Sequence, residues 1–184
     1  MQADLCKAFV SEVLKFRKAL NLTSISDADI FNTRFIMPSL ALSSWVPDQG
    51  RLLDVGSGMG VPGIPLLIAK QGLTGVLVER RKKRAEFLRH IIRTLGLTAE
   101  VYDADINALP SLHVDICVAR AVADEARLLD MCGRHVAPGA IAVLPVPRSH
   151  RSVQADGWTM LGEHSVCLDD SEENIQCVRC YQHR

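Results

Sequence analysis

The sequence predicts an α/β protein with a mostly parallel sheet, helices on both of its faces and a helical extension in front. Three observations carry that prediction. From residue 49 onward, short apolar runs alternate with helix-period segments, the order that strand–helix–strand crossovers require. The helical segments stop at Gly72, Gly96 and Pro138-Gly139, residue types that end helices and turn the chain back onto a sheet. Residues 1–48 hold only helical patterns, which divides the chain into an extension over 1–48 and a sheet domain over 49–184.

In order along the chain, Leu5, Phe9, Val13, Leu14 and Phe16 form one apolar stripe of a helix over 3–20, broken by Asn21-Leu22-Thr23. Ser26-Asp27-Ala28-Asp29 supplies a capping side chain and early acid for a second helix, with Ile30, Phe35, Ile36 and Leu40 as its apolar face. Pro38 lies inside it and is expected to kink or split it. Strands are expected at 51–55, 75–79, 99–102, 114–119 and 140–144, with helices at 64–71, 82–95 and 123–135 between them. Two late strands, 158–167 and 174–181, read as an antiparallel hairpin at the sheet edge, joined by the polar run Leu168-Asp169-Asp170-Ser171-Glu172-Glu173.

The chain has 184 residues, long enough to bury roughly 70% of the surface its unfolded form exposes without disulfides or a structural metal. Its 21 Lys and Arg balance 21 Asp and Glu, which on an evenly charged surface would argue against a nucleic-acid partner. Residues 1–7 lack the pattern of a signal peptide and no 18-residue apolar run suggests a membrane span, so a cytoplasmic monomer is expected. Six cysteines are expected to be reduced thiols; Cys177-x-x-Cys180 reads as part of a strand rather than as a zinc or redox pair, and no metal is expected.

The chemistry is concentrated in Leu52-Leu53-Asp54-Val55-Gly56-Ser57-Gly58-Met59-Gly60-Val61-Pro62-Gly63-Ile64-Pro65. A buried strand there runs into alternate glycines, and Pro62 suits the first turn of the helix that follows. A tight turn accounts for one or two glycines; three in alternation let main-chain N–H groups approach a ligand at a helix start. Gly58-x-Gly60-x-x-Gly63, with Glu79 downstream, also satisfies a dinucleotide fingerprint. Three features favour S-adenosylmethionine instead: Asp54 before the first glycine, the helical segment before the motif, and the acidic pair Asp103 and Asp105 after the third strand. Asp54 can help hold an ammonium group directly or through water, and Glu79 can accept from two ribose hydroxyls. Asp103 or Asp105 can meet an adenine edge, with Ile106 as an apolar floor.

These residues resemble the bacterial 16S ribosomal RNA guanine-N7 methyltransferase family, often called RsmG or GidB, of which the chain looks like a divergent member. The resemblance runs from about residue 21 to residue 139. It rests on Asn21-Leu22-Thr23-Ser24-Ile25-Ser26-Asp27, Arg34, the loop from Asp54 to its Pro62-Gly63-Ile64-Pro65 end, Lys83-Arg84 with Phe87-Leu88, and Ala119-Arg120-Ala121. It implies a class I methyltransferase fold, S-adenosylmethionine as donor and ribosomal RNA or the small ribosomal subunit as partner. The cofactor set is then Asp54, Gly56, Ser57, Gly58, Gly60, Pro62, Gly63, Glu79, Arg80, Asp103, Ala104, Asp105, Ile106 and Arg120, with Arg120 and Arg34 also serving the acceptor. The chain departs from the family where Phe35 and Pro38 replace its usual His and Asp, where Ala119 replaces a Ser, and where Leu144-Pro145-Val146-Pro147 replaces a Lys and Gly.

Charge distribution supports an RNA partner where net charge does not. Arg80-Arg81-Lys82-Lys83-Arg84 with Arg89 and Arg93 places seven cations in fourteen residues, on a helix whose Phe87, Leu88, Ile91, Ile92 and Leu95 should face the sheet. Arg148-Ser149-His150-Arg151 forms a second basic cluster, while acids gather in 169–173. A guanine N7 lone pair carries no proton, so proximity and orientation suffice and no general base is needed. Two other readings remain: a methyltransferase acting on a small molecule or another RNA, and a non-catalytic RNA-binding subunit that keeps the fold. A nicotinamide dehydrogenase is disfavoured, because its fingerprint does not need Asp54.

Overall fold

The computed structural model describes residues 1–120, 124–146, 153–167 and 175–184. The basic cluster 148–151, the acidic run 169–173, Ala121 and Pro147 lie outside the described residues. Helix α1 spans Gln2–Phe16; of the stripe read from the sequence it buries Phe9 and Val13, with Val10 added, while Leu5, Leu14 and Phe16 are partly buried against the same core. It stops short of residue 20, and the chain turns through Asn21 at φ 50°, a left-handed value that Asn tolerates.

Asp27 starts the second helical stretch by accepting from the N–H groups of Asp29 and Ile30, both at 2.9 Å. The regular α-helix is interrupted just ahead of Pro38, in line with the expected kink or split. The chain runs through α2 (Ala28–Phe31), one widened π turn (Asn32–Ile36) and α3 (Met37–Ala41), with Pro38 in the first turn of α3, where its missing N–H does least harm.

The sheet domain follows as β1 (Gln49–Val55), α4 (Gly63–Ala69), β2 (Gly72–Val78), α5 (Lys82–Leu95), β3 (Ala99–Tyr102), β4 (Val114–Ala119), α6 (Glu125–Gly133), β5 (Val136–Val146), β6 (Trp158–Cys167) and β7 (Ile175–His183). The strand order is β3-β2-β1-β4-β5-β7-β6, parallel through β5, with β7 antiparallel to both β5 and β6. Gly96 closes α5 at φ 64°, as its sequence position predicts.

Two of the expected helix stops serve other elements. Gly72 opens β2 rather than ending a helix, since α4 is already over at Ala69. Pro138-Gly139 ends no helix: it lies within β5, where the pairing with β4 jumps from Val114↔Val136 to Ile116↔Ile141. Gly139 there takes φ 89°. A bulge is the place in a sheet where a residue without an N–H and one with positive φ are both tolerated.

Leu52 and Leu53, adjacent on β1, point to opposite faces and belong to two cores. One core gathers α4, α5 and the helices of the extension; Phe9, Phe31 and Leu42 pack with Ile64 and Leu88. The other joins α6, through Leu128, Leu129 and Cys132, to Val55, Val76 and Tyr181. A buried polar cluster pins α6 to the antiparallel edge. Arg179 on β7 donates to Glu125 Oε2 at 2.5 Å and to Glu163 Oε2 at 2.6 Å, and the Tyr181 hydroxyl donates to Glu125 Oε1 at 2.5 Å. Cys177 and Cys180 fall in different cores, on opposite faces of the sheet, which excludes a shared metal or a disulfide between them. Among the described residues no helix is long and apolar enough to cross a membrane.

Candidate functional site

The strand order reverses between β1 and β4, and an α/β sheet opens its ligand crevice at the carboxyl ends of the strands at such a point. The glycine loop after β1 lies there. Gly56, Gly58 and Gly60 take φ values of 67°, 57° and 99°, which residues with a Cβ rarely adopt. Main-chain bonds hold the loop: Ser57 N–H donates to Val78 O at 3.0 Å and Gly60 N–H to Ser57 O at 2.7 Å. Glu79, just beyond β2, ties the loop to the next element. Its Oε2 accepts from Gly58 N–H at 3.0 Å and its Oε1 from Arg81 N–H at 2.8 Å. A carboxylate offers about four lone-pair positions, so both oxygens keep capacity for a ligand.

Asp54 faces inward. It is fully buried and its Oδ2 accepts from Gly63 N–H at 3.0 Å, while its Oδ1 has no partner among the described residues. Burial raises its carboxyl to about 7, against the lowering effect of the Gly63 hydrogen bond. Gly63 has no room for a side chain, since a Cβ would sit 2.5 Å from Asp54 Oδ2. The first N–H of α4 is thus occupied by Asp54. Pro62, expected in the first turn, stands one residue before it as the N-cap.

A cavity of about 450 Å³ opens beside the loop, walled by Val55, Gly56, Glu79, Arg80, Ala104, Asp105 and Ile106, with Val78, Arg81, Arg84, Asn107, Arg127 and Met131. The structure separates the two acids after β3. Asp105 borders the cavity and caps the 3₁₀ turn Ile106–Ala108, its Oδ1 accepting from Asn107 N–H at 2.9 Å. The Asn107 N–H holds its carboxyl below the usual carboxylate range. Asp103 is not among those walls; it pairs with Arg89 at 3.0 Å. Arg127 and Met131, one turn apart on α6, escape sequence reasoning. Their signal is the i, i+4 spacing behind Asp124, whose Oδ1 accepts from Arg127 N–H at 2.9 Å.

A nucleoside fits these walls: two carboxylates with free lone pairs, an apolar floor at Ile106, and main chain at Gly56 that a ligand can approach closely. The S-adenosylmethionine expected from the sequence meets that description.

Arg120 follows β4 directly, one residue past the pairing of Ala119 with Val55. Its Nη2 donates to Arg34 O at 2.9 Å, and its guanidinium lies 4.7 Å from the Phe35 ring centroid. The Arg34 side chain is exposed and near enough to add repulsion: burial first, and Arg34 second, lower the Arg120 pKa. The basic helix α5 buries Phe87, Leu88, Ile91, Ile92 and Leu95, leaving Arg80, Arg81, Lys82, Lys83 and Arg93 exposed around it, as its periodicity predicts. Arg84 instead donates to Asn21 O, and Arg89 to Val101 O at 3.0 Å.

Comparison with known proteins decides the family. Residues 2–146 match the family described as GidB, rRNA small subunit methyltransferase G. The chain belongs to that family. A ribosomal RNA small subunit methyltransferase G of Cereibacter sphaeroides is 36% identical over 183 residues, covering 95% of this chain and 89% of the relative. One from Xanthomonas oryzae pv. oryzae is 32% identical over 179 residues, covering 93% and 84%. Solved structures share the fold at lower identity. MtNAS in complex with MTA and tNA aligns with a TM-score of 0.64 at 18% identity, over 98% of this chain and 70% of that one. A putative methyltransferase, yhhF, from Escherichia coli aligns at 0.61 and 15%, over 80% and 85%. For this GidB-family chain the class I methyltransferase fold expected from the sequence therefore holds, with helices on both faces of a mixed seven-stranded sheet.

Proposed function

We propose that this chain transfers the methyl group of S-adenosylmethionine to N7 of a guanine in small-subunit ribosomal RNA, as a monomer in the cytoplasm. The observation that carries the reading is the pairing, at one switch point, of a nucleoside-sized cavity bearing Glu79 and Asp105 with an arginine pair, Arg120 and Arg34, at the neighbouring strand end. The relatives' shared description names the RNA.

S-Adenosylmethionine, when bound, supplies a methyl group on a sulfonium centre open to in-line displacement. The chain's own residues do the rest. Glu79 accepts from ribose hydroxyls with the lone pairs that Gly58 and Arg81 leave, and Asp105 and Ile106 meet the adenine. Gly56 and Ala104 give main-chain access, and Arg80 stands at the rim. Asp54, Ser57, Gly58, Gly60, Pro62 and Gly63 shape the loop that closes the donor side, Asp54 by holding Gly63. Asp103 acts only through Arg89. On the acceptor side, Arg120 orients the guanine through an oxygen on its major-groove edge and Arg34 takes a neighbouring phosphate. N7 has a free lone pair, so the rate comes from orientation and water exclusion. Exposed cations from Arg80 to Lys83, and Arg93, receive the flanking backbone.

The test is methyl transfer to purified small subunits and to naked small-subunit RNA, read by N7-specific chain cleavage. One methylated guanine in either substrate is the expected result; the absence of methylation on any ribosomal substrate overturns the reading. A second reading, another RNA as acceptor, draws on Phe35 and Pro38 standing where the family has His and Asp, and predicts N7 methylation of a non-ribosomal RNA alone.

A further inference from the structure

We propose that Phe35 and the main-chain carbonyl of Arg34 are a positioning device for Arg120, locking its guanidinium so that Nη1 is aimed at the acceptor. The proposal rests on the acceptor reading above and deepens it.

Four observations converge. The Arg120 guanidinium lies over the Phe35 ring at 4.7 Å, a cation–π contact that fixes its plane. Phe35 is itself braced, its ring centroid 4.8 Å from that of the fully buried Phe31. Arg120 Nη2 donates to Arg34 O at 2.9 Å, which fixes rotation within that plane. Finally, Arg120 Nη1 is inaccessible to solvent and has no hydrogen-bond partner among the described residues. An orphaned buried donor is disfavoured unless a ligand completes it.

The arrangement gives Phe35 a chemical role: it supplies a ring face that an arginine can stack on at any pH. Arginine suits this role because one Nη is spent internally while the rigid fork keeps the other in a fixed direction. Phe35 does not touch the acceptor; it acts through Arg120.

Two measurements test it. Steady-state methylation of small-subunit RNA is compared in Phe35→Ala, Phe35→Trp, Arg120→Lys and the double variant Phe35→Ala/Arg120→Lys, with S-adenosylmethionine affinity read by calorimetry. Phe35→Ala should lower kcat for RNA by about 10- to 30-fold, with donor Kd changed less than about two-fold. Phe35→Trp, which keeps a ring face, should recover to within about three-fold of the native chain. Arg120→Lys keeps the charge but loses the fork and should fall at least as far as Phe35→Ala; the double variant should then be no worse than Arg120→Lys alone. Multiplying losses, or an unchanged kcat in Phe35→Ala, overturn the inference.

The second measurement needs no activity. Nitrogen-15 spectra of the Arg120 guanidinium should show slowed rotation and hydrogen exchange in the native chain and averaged signals in Phe35→Ala. An ordered guanidinium in a chain that methylates no ribosomal RNA refutes the function and leaves the positioning intact. A guanidinium equally mobile with and without Phe35 refutes the positioning whatever the activity.

Discussion

On the proposed donor side of the cleft the glycine loop is held by main-chain bonds to Val78 and to the carboxylates of Glu79 and Asp54, whereas on the proposed acceptor side Arg120 is held by one carbonyl and one ring face. The donor wall depends on which residues lack side chains; the acceptor wall depends on which side chains are present. A main-chain cradle tolerates little substitution, because any Cβ at Gly60 or Gly63 meets packed atoms at 2.7 or 2.5 Å. A stacked side chain can be exchanged for another that presents a face. The glycine loop should therefore accept fewer substitutions than position 35.

The difference can be broken first at Asp54. Its folded carboxyl titrates at about 7, above the ordinary value of 3.8, so the unfolded chain releases this proton first as pH rises. The native state therefore loses stability between about pH 4 and pH 7, by roughly 1–4 kcal/mol from this group alone. Asp54→Asn keeps an oxygen for Gly63 and removes the titration. Its stability relative to the native chain, from urea unfolding, should improve steadily across that window and level off above it; a parallel pH dependence in both proteins would show that the Asp54 carboxyl is not raised in the folded chain.

Glu79→Ala comes next. It releases Gly58 and Arg81 N–H together with the proposed ribose contacts, and should weaken S-adenosylmethionine by about 100-fold in a chain that stays folded. Unchanged binding in calorimetry would remove Glu79 from the site. Gly63→Ala forces Asp54 and Leu77 apart and should cost about 1–3 kcal/mol in thermal or urea unfolding. Arg34→Ala, on the side-chain wall, should leave stability and donor affinity unaltered and raise KM for RNA about three- to five-fold, the loss of one exposed phosphate contact. The smallest effect separates the two acids: Asp105→Asn should weaken the donor about five-fold, while Asp103→Asn, which opens only an exposed pair with Arg89, should change it less than about two-fold.

Legibility in the sequence follows the same division. The ends of α5 and of β3 and β4 are legible to the residue, because their apolar periods are unbroken and Gly96 marks a clean stop. Pro138-Gly139 misleads, since the same residues that end helices also serve bulges, and only pairing with β4 distinguishes the two. Pro38 signals an interruption of the second helix, but its form, a π turn ahead of it, is not legible locally, because Phe31 and Ile36 at its two ends pack into a core built from distant residues. Within the site, Glu79 is legible as a strand-end acid. The separate fates of Asp103 and Asp105 are not, because an acid two residues away along a loop faces a different neighbour: Arg89 for one, the cavity for the other.

The sequence by itself determined the fold class and the glycine loop, because periodicity and glycine spacing are local properties that need no partner to be read. Only the tertiary structure decided that Asp54 turns inward to Gly63, that Arg127 and Met131 reach the cavity, and that Arg120 rests on Phe35 and donates to Arg34 O. The hydrogen bonds among them span from nine positions, Asp54 to Gly63, to 86, Arg34 to Arg120, and their geometry is set by the burial and hydrogen bonding of the whole chain.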